Sequence, residues 1–342
     1  MYNGAKSIKK NIVKNSKIAI VTGGAGFIGS HLVDLLLKKN YRVIVIDNLS
    51  GGRLDNLKQH KKNNKLTFKK ININNISKNE KIFKNARYVF HFAGIGDIVP
   101  SIENPSNYMM TNIQGTVKVL EASRFSKVKK FVYAASSSCY GINNRRTKEN
   151  EKINPQYPYA LSKYLGEQAA LHWHKVYKLP VNSIRIFNAY GPRVRTTGVY
   201  GAVFGVFLKQ KLKKKALTIV GNGKQSRDFI YATDVAKAFL KAATTKKVGE
   251  IFNLGSDKPQ SVNQLAKLIG GKVTHIPDRP GEPKKTWANI NKIKKKLNWK
   301  PNINFKDGVK NMLNQIDEWK NAPLWTPQSI NIATKTWFKY LK

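Results

Sequence analysis

The chain has 342 residues, of which 41% are hydrophobic, so it is long enough for one large domain or for a large and a small one. It carries 62 Lys and Arg against 19 Asp and Glu, a formal net charge of +43, and lacks the roughly 20-residue apolar stretch of a membrane span. A transmembrane protein is therefore excluded. The single cysteine, Cys139, excludes a framework of internal disulfides and favours a reducing, cytoplasmic location.

The positive charge has two interpretations. In the first, the positive field serves to bind nucleic acid or an anionic membrane. In the second, the charge reflects a drift in composition, although it would still attract a small anionic substrate. The basic residues are mostly lysines spread through the chain, whereas specific phosphate sites usually use the planar fork of arginine. The second interpretation is favoured, and no specific nucleic-acid or membrane partner is predicted. Residues 1–16 are basic without the apolar stretch of a secretory signal, and are predicted to be a flexible leader.

Residues 17–190 alternate short β-branched runs with longer amphipathic stretches. The predicted strands are 17–21, 42–47, 66–73, 88–93, 130–136 and 182–188, and the predicted helices are 28–40, 108–126 and 159–177. Alternation of this kind is typical of the α/β class, with a doubly wound parallel sheet of the Rossmann type. This range is predicted to be the dinucleotide-binding domain.

Residues 191–342 contain shorter elements. The predicted helices are 200–213, 234–244 and 261–270, and the predicted strands are 217–221 and 251–255. We predict mainly a smaller C-terminal α/β lobe, interleaved with late elements of the sheet. The amphipathic C-terminal segment 322–342 is predicted to cap this lobe.

Residues 22–29, TGGAGFIG, lie between the first predicted strand and the first predicted helix. In this context Gly23 would allow a tight turn, Gly26 a close approach of the backbone to a pyrophosphate, and Gly29 close packing of helix on strand. A purely structural turn is the alternative. Asp47 ends the second predicted strand, where a carboxylate binds a ribose 2′-hydroxyl and repels a 2′-phosphate. The pattern predicts NAD rather than NADP.

A serine-rich strand end and a Tyr-x-x-x-Lys pair form the second motif. Ser136 ends the fifth predicted strand, and Tyr159 and Lys163 are four residues apart, so that they share one face of a helix. A nearby ammonium group is expected to lower the pKa of the phenol toward that of a base at neutral pH. The pair alone is common, and a surface helix is the alternative.

Together these motifs, in this order and at these spacings, resemble the extended short-chain dehydrogenase/reductase family, in its branch of NAD-dependent nucleotide-sugar epimerases and dehydratases. Further landmarks of that family are HFAG at 91–94, NIQGT at 112–116, RIFNAYGPR at 185–193, RDFIYATDVA at 227–236 and RPGEP at 279–283. The resemblance covers about residues 17 to 315 and implies that the smaller lobe binds a nucleotide sugar.

The resemblance also implies site residues. Catalysis is expected from Ser136, Tyr159 and Lys163. NAD is expected to contact Gly23, Gly26, Phe27, Ile28, Gly29, Asp47, Asn48, Asn72, Ile73, Phe92, Ala93, Gly94, Asn112, Tyr159 and Lys163, although Asn72 stands where the family usually has Asp. Substrate contacts are expected from Ser137, Ser138, Asn188, Arg227, Arg279 and Thr286. No metal site is predicted, and Cys139, His172 and His174 are interpreted as packing or surface residues.

The serines at 136–138 select the reaction that the resemblance implies. The 4,6-dehydratases of the branch carry Thr-Asp-Glu there, and the UDP-glucuronate decarboxylases typically carry Glu at position 138; here all three residues are serine. What remains is a 4-epimerase, in which Tyr159 takes the proton of the sugar 4-hydroxyl, hydride passes from C4 to NAD, and the 4-keto sugar turns before hydride returns. Alternatives are a reductase, a decarboxylase or, in another class, a non-catalytic nucleotide- or RNA-binding relative, which would not need the full catalytic set.

The expected substrate is a UDP-hexose or a UDP-N-acetylhexosamine. In related epimerases a bulky aromatic residue before the W-A-D sequence blocks N-acetylated sugars, and Thr286 falls at that position. The resemblance further implies a homodimer formed through two long helices per subunit, and a role in carbohydrate metabolism such as cell-surface polysaccharide biosynthesis.

Overall fold

The computed structural model describes residues 17–196 and 203–341. The predicted leader, residues 1–16, lies outside the described residues, as does the start of the helix predicted at 200–213. No helix in the described ranges is both long and apolar enough to cross a membrane.

The described part of the chain has thirteen strands, of which nine lie at or close to predicted positions and four were not predicted. They are β1 (Ile18–Thr22), β2 (Arg42–Asp47), β3 (Leu66–Lys70), β4 (Tyr88–His91), β5 (Lys130–Ser136), β6 (Val181–Ile186), β7 (Asn188–Tyr190), β8 (Leu217–Val220), β9 (Ser226–Arg227), β10 (Phe229–Tyr231), β11 (Glu250–Leu254), β12 (Gln260–Ser261) and β13 (Val273–Ile276). Seven of them form one sheet in the order β3-β2-β1-β4-β5-β6-β11, and every neighbouring pair in it is parallel. The predicted fold class is confirmed.

The helices follow the same alternation. They are α1 (Phe27–Lys38), α2 (Val99–Glu103), α3 (Pro105–Met109), α4 (Gly115–Phe125), α5 (Pro158–Tyr177), α6 (Val203–Leu212), α7 (Ala232–Thr244), α8 (Val262–Ile269), α9 (Asn291–Leu297), α10 (Phe305–Asn314), α11 (Pro327–Ala333) and α12 (Lys335–Tyr340). A π-helical turn, Met110–Gln114, joins α3 to α4.

The sheet separates two apolar layers. On one face, α1 and α7 contribute Leu32, Leu36 and Phe239 to a cluster with the buried side chains of the sheet. On the other face, α4 and α5 contribute Leu120 and Ala170 to a second cluster. Central strands that are buried on both faces need apolar residues throughout, which explains the continuous apolar runs in the sequence. The strand order reverses at the β1–β4 pair, so that a crevice opens at their carboxyl ends.

The smaller lobe has its own core. Three two-stranded pairs, β7–β10, β8–β13 and β9–β12, accompany α6, α8 and α10 around a cluster that includes Phe207, Leu265, Met312 and Trp319. Between these elements the chain returns to the sheet through α7 and β11. The strand predicted at 182–188 is two strands, because the chain leaves the sheet after Ile186 and β7 pairs with β10.

Candidate functional site

The turn between β1 and α1 requires two of its glycines. Gly23 has a φ of +68°, and a Cβ there would lie 2.6 Å from the backbone nitrogen of Ala93. A Cβ on Gly29 would lie 2.2 Å from the carbonyl oxygen of Gly23. Gly26 precedes α1, and no side chain caps the helix start, where Phe27 and Ile28 begin the first turn. Backbone N–H groups at an uncapped helix start can bind a phosphate.

Asp47 ties this turn to the end of β2. Its buried carboxylate accepts hydrogen bonds from the backbone N–H groups of Ala25 (3.0 Å) and Leu49 (2.8 Å). Burial raises the pKa of Asp47, while the two backbone hydrogen bonds act in the opposite direction. Asn48 beside it accepts from the N–H and the hydroxyl of Ser50. A carboxylate thus stands at the edge of the crevice, where the sequence predicts a ribose contact.

The next predicted contacts line the ends of β3 and β4. Asn72 accepts a hydrogen bond from the N–H of Asn74 at 3.0 Å and caps a short helical turn that begins with the buried Ile73. The ring of Phe92 packs 4.3 Å from that of Phe239, which anchors the end of β4 to α7.

Asn112 holds the loop after β4 against α5. It is 1% exposed, donates to the carbonyl of Ile95 (3.0 Å) and to Ser162 Oγ (2.9 Å), and accepts from the N–H of Ile95 (2.8 Å). A Cβ on Gly94 would lie 2.8 Å from the Asn112 oxygen and 3.7 Å from Lys163 Nζ. Asn112 lies in the π-helical turn, a distortion that is frequent at functional sites. Its hydrogen bonds indicate that it positions this loop beside α5.

The three predicted catalytic residues come together at the carboxyl end of β5. Ser136 Oγ lies 2.6 Å from Ser138 Oγ, and its hydroxyl is within hydrogen-bonding reach of the Tyr159 phenol. The Tyr159 ring stacks on that of Tyr157, with centroids 6.4 Å apart and planes 7° apart. The hydroxyls of two serines and a tyrosine therefore converge on one point.

Lys163 lies one helical turn further along α5 and is 7% exposed. Burial lowers its pKa to about 8, and its Nζ lies over the Tyr133 ring, 4.5 Å from the centroid. The net pKa of Tyr159 is raised, however, and not lowered as expected. Burial raises the pKa of Tyr159, with only the Ser136 hydrogen bond acting against it.

The predicted substrate residues and Tyr159 line one cavity of about 420 Å³. Its walls include Ser136, Ser137, Ser138, Tyr159, Asn188, Arg227, Arg279 and Thr286, from both the sheet domain and the smaller lobe. Thr286 donates to Asn188 Oδ1 (2.7 Å) and accepts from the N–H of Asp228 (3.1 Å), so that the two predicted contacts support each other.

Glu282 lies between the two arginines of this cavity and balances only one of their two charges. Arg227 pairs with its carboxylate and also donates to the carbonyl of Pro283 at 2.8 Å, while Arg279 lies 3.9 Å from the same carboxylate. Two guanidinium groups that converge on one carboxylate are arranged to bind an anion with several oxygens, such as a diphosphate.

The cavity is also lined by residues that sequence analysis missed, among them Asp97, Tyr157, Glu282 and Trp337. Glu282 and Tyr157 lie inside motifs that the sequence displays, RPGEP and YPYALSK, and could have been found there. Asp97 has a φ of +76° and faces Arg195 at 3.7 Å, and its charge acts to raise the pKa of Tyr159. Trp337 carried no signal, because only the path of the chain brings it to the cavity.

The remaining reactive side chains are engaged elsewhere. Cys139 is 1% exposed, and burial raises the pKa of its thiol to about 12, which suits packing rather than nucleophilic chemistry. His174 Nδ1 lies 2.9 Å from the carbonyl of Leu179. Across residues 17–196 and 203–341, no group of three or more His, Cys, Asp and Glu residues is arranged to hold a metal ion.

Comparison with known proteins gives one family. The sequence model of the NAD dependent epimerase/dehydratase family matches residues 19–255. A protein of Methanocaldococcus jannaschii, provisionally named a UDP-glucose 4-epimerase, is 39% identical over 304 residues, which cover 86% of this chain and 97% of that protein.

Two solved structures share the architecture. The UDP-glucuronic acid 4-epimerase of Bacillus cereus, in complex with UDP-glucuronic acid and NAD, is 32% identical, with a TM-score of 0.82 over 88% of this chain and 99% of its own. The UDP-N-acetylglucosamine 4-epimerase of Methanobrevibacter ruminantium, in complex with UDP-N-acetylmuramic acid, is 32% identical, with a TM-score of 0.83 over 89% of this chain and 99% of its own.

Proposed function

Since the chain belongs to the NAD dependent epimerase/dehydratase family, we propose that it is an NAD-dependent 4-epimerase of nucleotide sugars, with a UDP-sugar as substrate. The observation that carries this proposal is the cavity in which Tyr159 and Ser136 meet beside two arginines. We assign dinucleotide binding to residues 17–190 and nucleotide-sugar binding mainly to residues 191–342, whose α7 and β11 return to the sheet domain.

The crevice at β1 and β4 suits NAD. The turn from Gly23 to Gly29 and the first turn of α1 would hold the pyrophosphate, and Asp47 the adenosine ribose. Asn72, Ile73 and Phe92 would border the adenine side, and Asn112, Tyr159 and Lys163 the reactive side. When bound, NAD supplies a reversible acceptor for the C4 hydride and a positively charged ring.

Tyr159 moves the proton. Its phenolate takes the proton of the sugar 4-hydroxyl during oxidation, and the phenol so formed gives that proton back when the opposite epimer forms. Because burial raises the pKa of this phenol, the phenolate depends on positive charge beside it, and Lys163 carries such a charge one helical turn away. Ser136 and Ser138 hold the sugar oxygen in line with the phenol.

The cavity favours epimerisation over elimination or decarboxylation. Positions 137 and 138 are serines and offer no acid or base. The cavity contains the carboxylates of Asp97 and Glu282, but each faces arginine, Asp97 with Arg195 and Glu282 with Arg227. Hydride removal and return therefore need only the groups that Tyr159 and its neighbours supply.

The proposed contacts with the diphosphate and with the sugar substituent involve Arg227, Arg279 and Thr286. The two guanidinium groups would exchange Glu282 for the diphosphate of the substrate. Thr286 is small and tied to Asn188, which leaves room for an acetamido group at the sugar. Turnover of UDP-N-acetylhexosamines as well as UDP-hexoses is part of the proposal.

The protein is also proposed to be a cytoplasmic homodimer. Apolar side chains stand exposed on the surface formed by the π-helical turn and α5, namely Met110 (50%), Leu161 (37%) and Leu165 (37%), and a second copy would cover them. The buried thiol of Cys139 needs no oxidising compartment.

The test is a panel of nucleotide sugars. The purified protein is incubated without added cofactor with UDP-glucose, UDP-N-acetylglucosamine, UDP-glucuronate and their 4-epimers, and interconversion is followed by NMR. We expect interconversion of the hexose and N-acetylhexosamine pairs, and a loss of about 100-fold or more in Tyr159→Phe. Tyr177→Phe, at the exposed end of the same helix, is the matched control and should keep full activity. Full activity in Tyr159→Phe, or a product that lacks water or carbon dioxide, contradicts the proposal.

A further inference from the structure

The C-terminal segment, residues 320–341, runs from the smaller lobe to the sheet domain. It begins against the smaller lobe, where the carbonyls of Lys320 and Trp325 accept hydrogen bonds from Lys209 Nζ (2.6 Å) and Gln210 Nε2 (2.8 Å). This part caps the lobe as the sequence predicts. Thr326 and Ser329 then form a capping box at the start of α11, which turns the chain toward the cavity.

The last helix, α12, spans the cleft beyond the predicted cap. It packs on α2 of the sheet domain, where the Thr336 hydroxyl donates to Glu103 at 3.0 Å. On its other side, Trp337 Nε1 donates to the carbonyl of Pro280 at 2.6 Å. One helix thus joins the two parts of the protein that build the cavity.

Trp337 forms part of the cavity wall. Its side chain is 6% exposed, and the guanidinium of Arg279 lies 6.0 Å from its ring centre. Asp97 precedes α2 by only two residues and is close enough to affect Tyr159, so that α12 covers the end of the cavity where the sugar would react. The indole N–H is already bonded to Pro280, so that what Trp337 offers to a ligand in the cavity is its apolar ring, beside the guanidinium of Arg279.

We propose that Trp337 is a substrate-binding residue whose ring packs against the sugar of the nucleotide sugar, and that residues 334–341 form a strap that closes the cavity over this sugar. The inference rests on the proposed function. Trp presents a large rigid apolar surface, which suits the C–H face of a sugar ring between hydrogen-bonding groups. The strap determines how tightly the sugar is held, while the nucleoside is held by the smaller lobe.

The test compares Trp337→Ala, Trp337→Phe and a control on the preceding helix α11, outside the proposed strap, Ile332→Ala, whose side chain is 65% exposed. We expect Trp337→Ala to raise KM for the nucleotide sugar about tenfold or more, with a smaller change in kcat. Trp337→Phe keeps an aromatic ring and should stay within about threefold of the parent, and Ile332→Ala should have the KM of the parent. The Kd of UDP, which lacks the sugar, should change less than about twofold in all three.

A measurement on the unmodified protein covers the case in which Trp337→Ala does not fold. Hydrogen exchange of the peptide amides of residues 334–341 should slow when the nucleotide sugar that the enzyme turns over is added, and should slow less with UDP alone. An unchanged KM in Trp337→Ala, or equal exchange with and without the sugar nucleotide, overturns the proposal. If the unmodified protein turns over no nucleotide sugar, the proposed function itself fails, which is a different result.

Discussion

Lys163 is a buried charge held at the expense of stability. It is 7% exposed, and burial lowers the pKa of its ammonium from 10.5 to about 8. At pH 7 the lysine is protonated in both the folded and the unfolded chain, so that the lowered pKa measures a cost in the folded state. The Tyr133 ring beneath Nζ offsets part of that cost.

We therefore predict that Lys163→Met makes the fold more stable and the enzyme inactive. The free energy of unfolding at pH 7 should rise by about 1 to 3 kcal/mol, because one pKa unit corresponds to about 1.4 kcal/mol. Urea denaturation measures it, with the exposed Lys175→Met on the same helix as a control that should change little. A destabilised Lys163→Met would show that the ammonium stabilises the fold.

The buried His91 is expected to make the free energy of unfolding depend on pH. Its Nδ1 lies 2.7 Å from the Thr22 hydroxyl and its Nε2 lies 2.9 Å from that of Thr116, which itself donates to the carbonyl of Asn112. The neutral ring therefore accepts at Nδ1 and donates at Nε2, and burial lowers the pKa of His91 to about 3.

Since an unfolded histidine takes up its proton near pH 6.5, the contribution of neutral His91 is complete above that pH and is lost as the pH falls toward 3. Between pH 6.5 and 5 it should lower the free energy of unfolding by about 2 kcal/mol. His91→Gln should remove that part of the slope, whereas His172→Gln, on the exposed face of α5, should leave it unchanged. Equal slopes in the parent and His91→Gln would refute this assignment.

At the scale of elements, α5 is fixed to the sheet by a buried ion pair. Glu167 on α5 accepts hydrogen bonds from Arg185 Nε and Nη2 (3.0 and 2.6 Å) and from Ser183 Oγ (2.7 Å), and both charged side chains are at most 2% exposed. Glu167 lies one helical turn beyond Lys163. The Glu167–Arg185 pair therefore fixes the position, relative to β6, of the helix face that carries Lys163.

Glu167→Gln should destabilise the protein by about 3 to 5 kcal/mol, because it leaves the Arg185 charge buried without its partner. It should also lower the pKa of Lys163 further, since the charge of Glu167 acts to raise it. Glu121→Gln is the matched control, because its pair with Arg124 is partly exposed and contributes about 1 kcal/mol or less. Chemical denaturation of both variants measures the difference, and similar losses in the two would refute the assignment.

The same scale shows how far periodicity predicts the fold. The alternation of apolar runs identified all the strands of the main sheet, because strands buried on both faces must be apolar throughout, and the longer helices around it, but not the short helices α2 and α9. It extended β3 to residue 73, whereas the chain turns at Asn72, whose side chain caps the next short helix. The π-helical turn at Asn112 was not predicted, since it arises from side-chain packing and not from any repeat.

At the scale of the whole molecule, the cavity combines predicted and unpredicted parts. Motifs identified Ser136, Tyr159 and the arginines, because each occupies a fixed place at the end of a strand or in a turn. The contribution of Trp337 depends on a segment that leaves the smaller lobe and crosses to α2. This path depends on contacts between residues that are far apart in the sequence, so that residue spacing cannot predict it.

The net charge of +43 predicts a salt effect on binding and not on chemistry. A nucleotide sugar is an anion and the lysines surround the whole protein, so that their summed field raises the local concentration of substrate over distances comparable to the Debye length, about 10 Å at 0.1 M salt. The groups proposed to act on the sugar lie inside the cavity, and salt screens their charges much less.

Raising potassium chloride from about 0.05 M to 0.5 M should therefore increase KM several-fold and leave kcat within about twofold. An uncharged osmolyte at equal osmolarity is the control and should leave KM unchanged. A KM that does not respond to salt would mean that the lysines play no part in binding, and retention on heparin at half-molar salt would instead indicate a polyanionic partner.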